Sequence, residues 1–538
     1  MNTSDNALRA RLFRNVGAEA SARVLYLATR FFIPPFVLAH IGMEAYGLYS
    51  TMFILVAYAG VSTIGFSNAY IKYVAEFSAS GEHQRVNRLL SAGLFITAPL
   101  CTIVFAGLMG VWPAVSGWLR VPPRMANDAR FLAITIVGSF LLCLAVSVFR
   151  DALCGLQKIA AVQKIWITSF VVETLVIVYL VTAGWGVRGM GVAFLVRTVV
   201  DIGGSALLAR REIRWLSIRP SFVDRASLKL LFGFGGIVQF NSLLSIFLNS
   251  VERALAAPLA GLGAAGLMDI AKKLPGTATA IPSSFASSLL PSISDLSGRL
   301  PEGKERRDRI ATLYLCGARY MNVVSGTLFA FIVCAALPLL VFWVKEVPAE
   351  APLLMIIFAV ASQVHLLTGP GTSVLKGIGR PYSDFHYTLA NFAALAITVP
   401  LARVIVGHWN VLGIASAVAA ATLLSASWYL IFANRTMGVN LRSYWNEVLL
   451  PGLVPYAVAA AISAPLYWIA PQGRWFAGFC DALAGIAYLA ALAPVWLWFC
   501  GKREEKDFAL SLWSRLMKSW PMEIVNPWGL RRIQSVEE

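Results

Sequence analysis

Apolar runs follow one another along almost the whole chain, separated by short polar segments. Each run is about twenty residues long, the length of an α-helix that crosses roughly 30 Å of hydrocarbon. Strand-like alternation of apolar and polar positions is absent, and backbone groups in lipid must find their hydrogen-bond partners within the protein. The pattern therefore predicts an all-α polytopic membrane protein.

Fourteen membrane spans can be drawn from this pattern. They cover residues 17–39, 47–70, 89–112, 130–152, 161–184, 189–210, 229–252, 262–290, 315–344, 351–374, 384–406, 411–433, 447–470 and 476–500. Composition agrees with the pattern, because 58% of the 538 residues are hydrophobic and only 14% are charged.

The distribution of positive charge predicts the orientation of the spans. If the N-terminus is cytoplasmic, 32 of the 45 lysines and arginines fall in cytoplasmic segments or at the adjoining span ends, 8 fall in external loops or at the span ends next to them, and 5 lie within spans. Cytoplasmic loops of membrane proteins are enriched in Lys and Arg, so both termini are predicted to be cytoplasmic. The same bias accounts for the net charge of +17 without a nucleic-acid partner.

Two short patterns recur at nearly the same offset. GMEAYGL at 42–48 returns as GLGAAGL at 261–267, and LCGLQK at 153–158 returns as LKGIGR at 375–380. Spans one to six therefore correspond to spans seven to twelve. Because six is an even number, both halves enter the membrane in the same direction, as in parallel-repeat transporters. Two such lobes enclose a central cavity.

The predicted organisation follows from this repeat. It comprises a first lobe at 1–210, a basic cytoplasmic linker at 211–228, a second lobe at 229–435, two additional spans at 436–500 and a cytoplasmic tail at 501–538 with an amphipathic segment.

Charged residues inside the spans are the candidate site. Each charge at the bilayer centre costs roughly 2.5–3.5 kcal/mol or more, so such residues normally face a bundle interior or a wet cavity. Arg23 and Arg30 share one helical stripe in span one, and Asp269, Lys272 and Lys273 lie in span eight. Asp269 and Lys273 are four apart and can pair, which would leave Lys272 as a free cation. With few carboxylates to cancel them, these cations predict an anion site.

Spans five and six carry further charges. Arg197 and Asp201 are four residues apart and can form a structural pair. Glu173 has no partner on its own helix; it can either bind a coupling ion or pair with Arg197 on the next helix. Glu173, Asp201 and Asp269 are the candidate residues for ion coupling.

Motifs of enzymes and of ATP-driven transporters are absent from the sequence. There is no GxxxxGK[ST], HExxH or GxSxG, the seven cysteines show no zinc spacing, and the external loops are short. We therefore expect neither an enzyme nor a cofactor, but a carrier driven by an ion gradient or by the membrane potential.

Residues 10–435 resemble the polysaccharide (Wzx-type) flippases of the multidrug/oligosaccharidyl-lipid/polysaccharide (MOP) exporter superfamily. The residues that carry the resemblance are IGMEAYGLYS, GFSNAYIKYVAEF, FRDALCGLQK, LLPSISDLSG and VLKGIGRP, in this order and at these places relative to the spans. Family members often have a basic residue where this chain has Lys273. Asp269 departs from the family, because Met268-Asp269 stands where a tyrosine is common.

The resemblance implies a function. Such proteins move an undecaprenyl-diphosphate-linked oligosaccharide across the bacterial inner membrane for the assembly of O-antigen, capsule or exopolysaccharide. The expected protein partner is a polysaccharide polymerase or a glycosyltransferase. Arg23, Arg30, Lys272 and Lys273 would then hold the diphosphate. Three alternatives stay open: a multidrug exporter of the same superfamily, a lipid II flippase, and a non-transporting scaffold of a polysaccharide synthase.

Overall fold

The computed structural model of the chain describes residues 3–60, 66–233, 236–299, 301, 303–344, 346–380, 383–469, 473–501 and 505–506. Helices make up its regular structure. In chain order they are α1 (Thr3–Gly60), α2 (Phe66–Ala79), α3 (His83–Gly110), α4 (Trp112–Trp118), α5 (Ala126–Leu132), α6 (Gly138–Ala145), α7 (Val148–Gly155), α8 (Ile159–Thr182), α9 (Gly186–Glu212), α10 (Arg225–Gly233), α11 (Gly236–Ala260), α12 (Leu262–Ala278), α13 (Ala280–Arg299), α14 (Lys304–Cys334), α15 (Ala336–Trp343), α16 (Ala351–Leu366), α17 (Thr368–Gly377), α18 (Ser383–Val406), α19 (Val411–Met437), α20 (Leu441–Tyr444), α21 (Val454–Ser463), α22 (Leu466–Ile469) and α23 (Arg474–Phe499).

Eleven helical segments in the described part of the chain are long and apolar enough to cross a membrane. The all-α membrane architecture predicted from the sequence is therefore confirmed. The predicted first and second spans share one of these segments, Phe31–Ala57. The predicted seventh and eighth spans coincide with α11 and with α12–α13, which fall outside the eleven and carry the charged residues described below.

The first repeated pattern adopts the same backbone conformation in both lobes. Gly42 breaks α1 with φ 79° and ψ 168°, and Gly261 separates α11 from α12 with φ 92° and ψ 171°. Side chains strongly disfavour a positive φ of this kind, which accounts for a glycine at both positions. We call the end of the molecule where Gly42 and Gly261 lie the glycine-turn end.

The second repeated pattern is also matched in the structure. The N–H of Gln157 donates to Cys154 O at 3.0 Å, and the N–H of Gly379 donates to Lys376 O at 3.0 Å. Gln157 and Gly379 both have positive φ, 60° and 84°. Corresponding helices of the two lobes thus end in the same backbone conformation, which confirms the pseudo-symmetry. The limits of the lobes stay a prediction.

The lobes meet across two glycines near the glycine-turn end. A Cβ added to Gly47 would lie 1.9 Å from Leu262 O, and one added to Gly266 would lie 2.8 Å from Met43 O. Met43 and Leu262, like Gly47 and Gly266, are equivalent positions of the repeat, so the contact is reciprocal. Only glycine permits backbones to approach so closely.

Prolines remove backbone hydrogen bonds from the helices that carry the site. Pro35 lacks an N–H, so the carbonyl of Phe31 has no intrahelical partner from that position. Trp343 Nε1 of α15 donates to this carbonyl at 2.5 Å and joins the two lobes a second time. Pro275 similarly weakens α12 just after Lys273, and α12 ends at Ala278, part-way along the predicted eighth span.

The last two spans pack on the second lobe. Tyr488 of α23 donates to Thr327 O at 2.9 Å. Beyond α23, Glu505 accepts hydrogen bonds from Arg319 Nη2 and Tyr320 Oη, both at 3.0 Å. These contacts attach the start of the C-terminal segment to α14. The amphipathic segment predicted in the tail lies outside the described residues.

Candidate functional site

A cavity of about 480 Å³ lies between the two lobes, and we call it the central cavity. Residues of α1, α8 and α9 line it on the side of the first lobe, and residues of α11, α12 and α13 on the side of the second. Among the described residues seven charged side chains border it: Glu173, Arg197, Glu252, Arg253, Asp269, Lys272 and Lys273. Charged residues of membrane helices are expected to face a cavity or the bundle interior, and these seven line the cavity.

Asp269 is the centre of the charged cluster. Its Oδ1 accepts a hydrogen bond from Arg253 Nη1 at 3.1 Å, and its Oδ2 accepts one from Lys273 Nζ at 3.0 Å. Tyr46 Oη, from the first lobe, donates to the same Oδ2 at 2.6 Å. The predicted pair of Asp269 with Lys273 is confirmed. Asp269 therefore binds two cations of its own lobe and one hydroxyl of the other.

Lys272 belongs to a second ion pair, so the expectation of a free cation was wrong. Its Nζ lies 2.6 Å from Glu252 Oε1 on the neighbouring α11. The Glu252 side chain is 1% exposed, whereas 33% of the Lys272 side chain is exposed. A carboxylate so deeply buried requires a partner, and helical spacing alone reveals only partners on the same helix.

The two charged residues on α8 and α9 pair with each other. Arg197 Nη1 lies 3.2 Å from Glu173 Oε2, and the guanidinium is 5.2 Å from the ring centre of Phe170. The pair of Glu173 with Arg197 is thus formed, and a role of Glu173 in ion coupling stays a prediction. The predicted pair of Arg197 with Asp201 is not formed among the described residues. Asp201 instead accepts a weak hydrogen bond from Cys143 Sγ at 3.7 Å.

The charge balance differs from the prediction. Among the described residues, four cations and three carboxylates border the central cavity, which leaves one positive charge in excess. The sequence predicted few carboxylates, but uncompensated cations are costly to bury. Lys273 has its partner on its own helix, and the other three cations have theirs across a helix–helix contact. The predicted site residues Arg23 and Arg30 lie in α1, and their side chains fall outside the described residues.

Sequence reasoning missed Glu252, Arg253 and Tyr46. Arg253 had been placed in an external loop because the seventh span was ended at residue 252. The apolar run in fact continues through Ala260, and α11 continues with it. A Glu-Arg pair inside an apolar run was the available signal. Tyr46 gives no such signal, since a tyrosine is ordinary in a membrane helix.

No group of three or more His, Cys, Asp or Glu residues suited to a metal ion occurs in the described part of the chain. The site offers instead ammonium and guanidinium groups, with a few hydroxyls. Arg presents a planar fork of donors and Lys a point charge, and both bind phosphate oxygens. The arrangement is suited to an anion that can compete with Asp269 and Glu252 for these cations.

Solved structures share this fold. The chain is similar to an inward-facing multidrug resistance MATE family transporter of the MOP superfamily, with a TM-score of 0.65 and 13% identity over 78% of this chain and 94% of that one. It is also similar to the lipid II flippase MurJ in an inward closed conformation, with a TM-score of 0.63 and 13% identity over 90% and 98% of the chains. At this identity the likeness shows the fold alone.

Sequence comparisons show the family. The chain is 21% identical to the uncharacterized membrane protein EpsK of Bacillus subtilis (strain 168) over 258 residues, a match that spans 47% of this chain and 50% of EpsK. The chain thus spans about half the length of this curated relative. The sequence profile of the family described as polysaccharide biosynthesis protein matches residues 15–297, more than half of the chain. Together with the MOP-type fold, this match confirms the predicted resemblance: the chain belongs to the polysaccharide biosynthesis protein family.

Proposed function

We propose that this protein is a flippase that moves an undecaprenyl-diphosphate-linked oligosaccharide from the cytoplasmic to the external leaflet of the bacterial inner membrane. The observation that carries the proposal is the central cavity between two pseudo-symmetric lobes, which four cations and three carboxylates of the described residues border. Membership of a polysaccharide biosynthesis family supports the choice of a glycan-bearing substrate.

The ion pairs keep the cations of the site compensated before substrate binds. Each phosphoryl group of a diphosphate bridge carries negative charge and oxygen acceptors, so it can replace a carboxylate as the partner of Lys or Arg. Lys272 is the most accessible of the cavity lysines, with 33% of its side chain exposed against 15% for Lys273. The diphosphate therefore reaches Lys272 first and then competes with Asp269 for Lys273. Arg23 and Arg30 are proposed as further donors to the diphosphate.

Asp269 couples the site to the contact between the lobes. Its carboxylate is shared by Lys273 and Arg253 inside the cavity and by Tyr46 of the opposite lobe. A phosphate that replaces Asp269 as the partner of Lys273 changes the position of the Asp269 carboxylate and weakens its hydrogen bond with Tyr46. Substrate binding thereby loosens the glycine-turn end, as alternating access requires.

The rest of the cycle is proposed from the predicted orientation. With both termini cytoplasmic, the glycine-turn end faces the outside and is closed here by the contact of Gly47 with Gly266. The glycan would occupy the hydrated cavity while the polyprenyl tail stays in lipid. An ion gradient or the membrane potential would drive the cycle, with Glu173, Asp201 and Asp269 as the candidate coupling residues. A polymerase or glycosyltransferase would use the product.

One observation favours a second candidate, a multidrug exporter of the same superfamily. Three carboxylates border the cavity, and carboxylates can bind a cationic drug. Each of them, however, already has a basic partner within 3.2 Å. A cationic drug would have to displace these partners, so we rank the exporter second.

The proposal is tested by mass spectrometry of lipid extracts from cells that lack the protein. Accumulation of undecaprenyl-diphosphate oligosaccharide, with loss of surface polymer, is expected. Expression of the Lys272→Ala/Lys273→Ala variant should leave the accumulation in place although the protein reaches the membrane. The control is Lys158→Ala, which removes a lysine paired with Glu212 at the surface and should restore a normal lipid pool. An unchanged lipid pool with altered drug sensitivity in the deletion strain would favour the exporter instead.

A further inference from the structure

A second cavity of about 590 Å³ lies within the second lobe, among α11, α13, α16, α18 and α19. We call it the side chamber. Its volume falls in the range of about 300–1,000 Å³ that is typical of small-molecule sites. Glu252, Lys272 and Gly276 border both the side chamber and the central cavity. A ligand whose anionic group is bound by Lys272 can therefore extend into the side chamber.

Hydroxyl groups dominate the polar lining of the side chamber. In the described structure five of them donate to backbone carbonyls three or four residues earlier in the chain: Thr279 at 2.7 Å, Ser283 at 2.7 Å, Thr368 at 2.7 Å, Thr372 at 2.8 Å and Thr422 at 3.0 Å. Because their protons are engaged, the lone pairs of these oxygens are left to accept hydrogen bonds. The chamber thus suits a ligand with several O–H donors.

Buried polar side chains complete the lining. Asn391, Thr388 and Tyr387 are 7%, 4% and 8% exposed, although all three border the chamber. The Tyr387 hydroxyl lies 2.6 Å from Nδ1 of His365, which also lines the chamber. An amide such as Asn391 both donates and accepts, as a sugar hydroxyl also does.

The charge of the side chamber argues against an ionic ligand. Among the described residues that line it, Glu252 is the carboxylate and Lys272 the primary amine, and the two are paired at 2.6 Å. Hard cations are usually held by several charged or carbonyl oxygens, whereas the oxygens here belong mainly to neutral hydroxyls. The lining is therefore polar but close to neutral.

We propose that the side chamber is a glycan subsite, in which the sugar next to the diphosphate binds through Thr388, Asn391 and the surrounding threonine hydroxyls. This inference rests on the proposed function, since Lys272 must hold the diphosphate for the sugar to enter. Buried polar groups shaped for a particular set of hydroxyls discriminate strongly against a ligand that leaves them unpaired. The side chamber is then where the protein selects its oligosaccharide.

The test is isothermal titration of the full-length protein in lipid nanodiscs with two kinds of soluble probe. One is pyrophosphate; the other is a panel of glucosyl, galactosyl, mannosyl and N-acetylglucosaminyl diphosphates. We expect at least one glycosyl diphosphate to bind about tenfold more tightly than pyrophosphate, because the sugar adds hydrogen bonds that pyrophosphate cannot make. Asn391→Leu and Thr388→Val should each reduce this affinity to the pyrophosphate level and leave pyrophosphate binding unchanged.

Thr398→Val is the matched control. Thr398 lies on the same helix as Thr388, outside the side chamber, and its buried hydroxyl has no hydrogen-bond partner in the described structure. The control should bind every probe as the unmodified protein does. Equal binding of pyrophosphate and all glycosyl diphosphates would overturn the glycan subsite. It would also be overturned if the protein bound sodium and Asn391→Leu abolished sodium binding but left glycosyl diphosphate binding intact. Failure of pyrophosphate itself to bind would overturn the diphosphate site, which is the proposed function.

Discussion

The hydrogen bond from Tyr46 to Asp269 can be removed without disturbing the cations of the central cavity. Tyr46→Phe keeps the ring that packs near the glycine-turn end and removes the hydroxyl that donates to Oδ2 at 2.6 Å. Asp269 still accepts from Arg253 and Lys273, so its carboxylate is not left unpaired. A hydrogen bond to a charged group contributes about 1.5–3 kcal/mol, and the remaining partners favour the lower value.

We therefore expect Tyr46→Phe to shift the equilibrium at the glycine-turn end toward the open state by about tenfold, which corresponds to about 1.4 kcal/mol. Double electron–electron resonance measures this shift. Spin labels at Trp118→Cys and Val404→Cys report on the first and second lobes, because both positions are exposed. The seven native cysteines are replaced beforehand.

Tyr179→Phe is the matched control, because Tyr179 is 70% exposed on α8 and lies away from Asp269. It should leave the distance distribution unchanged. If Tyr46→Phe also leaves the distribution unchanged in the absence and presence of substrate, then Asp269 does not couple the site to the lobes. That result would refute the mechanism while leaving the anion site possible.

Three further predictions concern the contacts that hold the lobes and the ion pairs. Gly47→Ala places a methyl group 1.9 Å from a backbone oxygen of the other lobe, so we expect lost transport, whereas Gly107→Ala, with open space around it, should transport normally in the same complementation assay. Glu173→Gln removes the partner of a mostly buried Arg197 and should destabilise the detergent-solubilised protein by about 1–3 kcal/mol, measured as unfolding; restoration by a second change, Arg197→Gln, would identify the pair as the cause. Glu505→Ala detaches the start of the C-terminal segment from α14 and should increase its proteolysis, and an unchanged cleavage rate would contradict this anchoring.

The repeat was predictable because backbone geometry demands particular residues. Gly42 and Gly261 both have a positive φ, and glycine is the residue that adopts it without strain. The spacing of the glycines therefore predicts the pseudo-symmetry from the sequence alone. Gly47 and Gly266 belong to the same two heptapeptides, and their backbones approach each other closely. The sequence alone did not predict this contact, because it does not show which surfaces of the two lobes meet.

Helical spacing predicted two pairs within a helix, of which Asp269 with Lys273 is formed and Arg197 with Asp201 is not. Asp269 and Lys273 are four residues apart on α12, and their contact follows from helical geometry. Lys272 and Glu252 lie on different helices, so their contact depends on how α11 and α12 pack. For Glu173 the sequence offered two outcomes, and helix packing decided in favour of Arg197. The role of Arg253 depended on where α11 ends, which is the least certain feature of a hydrophobicity pattern.

The most direct test of the central claim is the affinity of the purified protein for undecaprenyl diphosphate and undecaprenyl phosphate, measured by native mass spectrometry. The account predicts that the diphosphate binds at least about tenfold more tightly, because its second phosphoryl group gains a charge-assisted contact. Lys272→Gln/Lys273→Gln should abolish this preference, and Lys158→Gln should preserve it. Equal affinity for the two lipids in the unmodified protein, or a preference that survives in the double variant, would contradict the assignment of these lysines to the diphosphate.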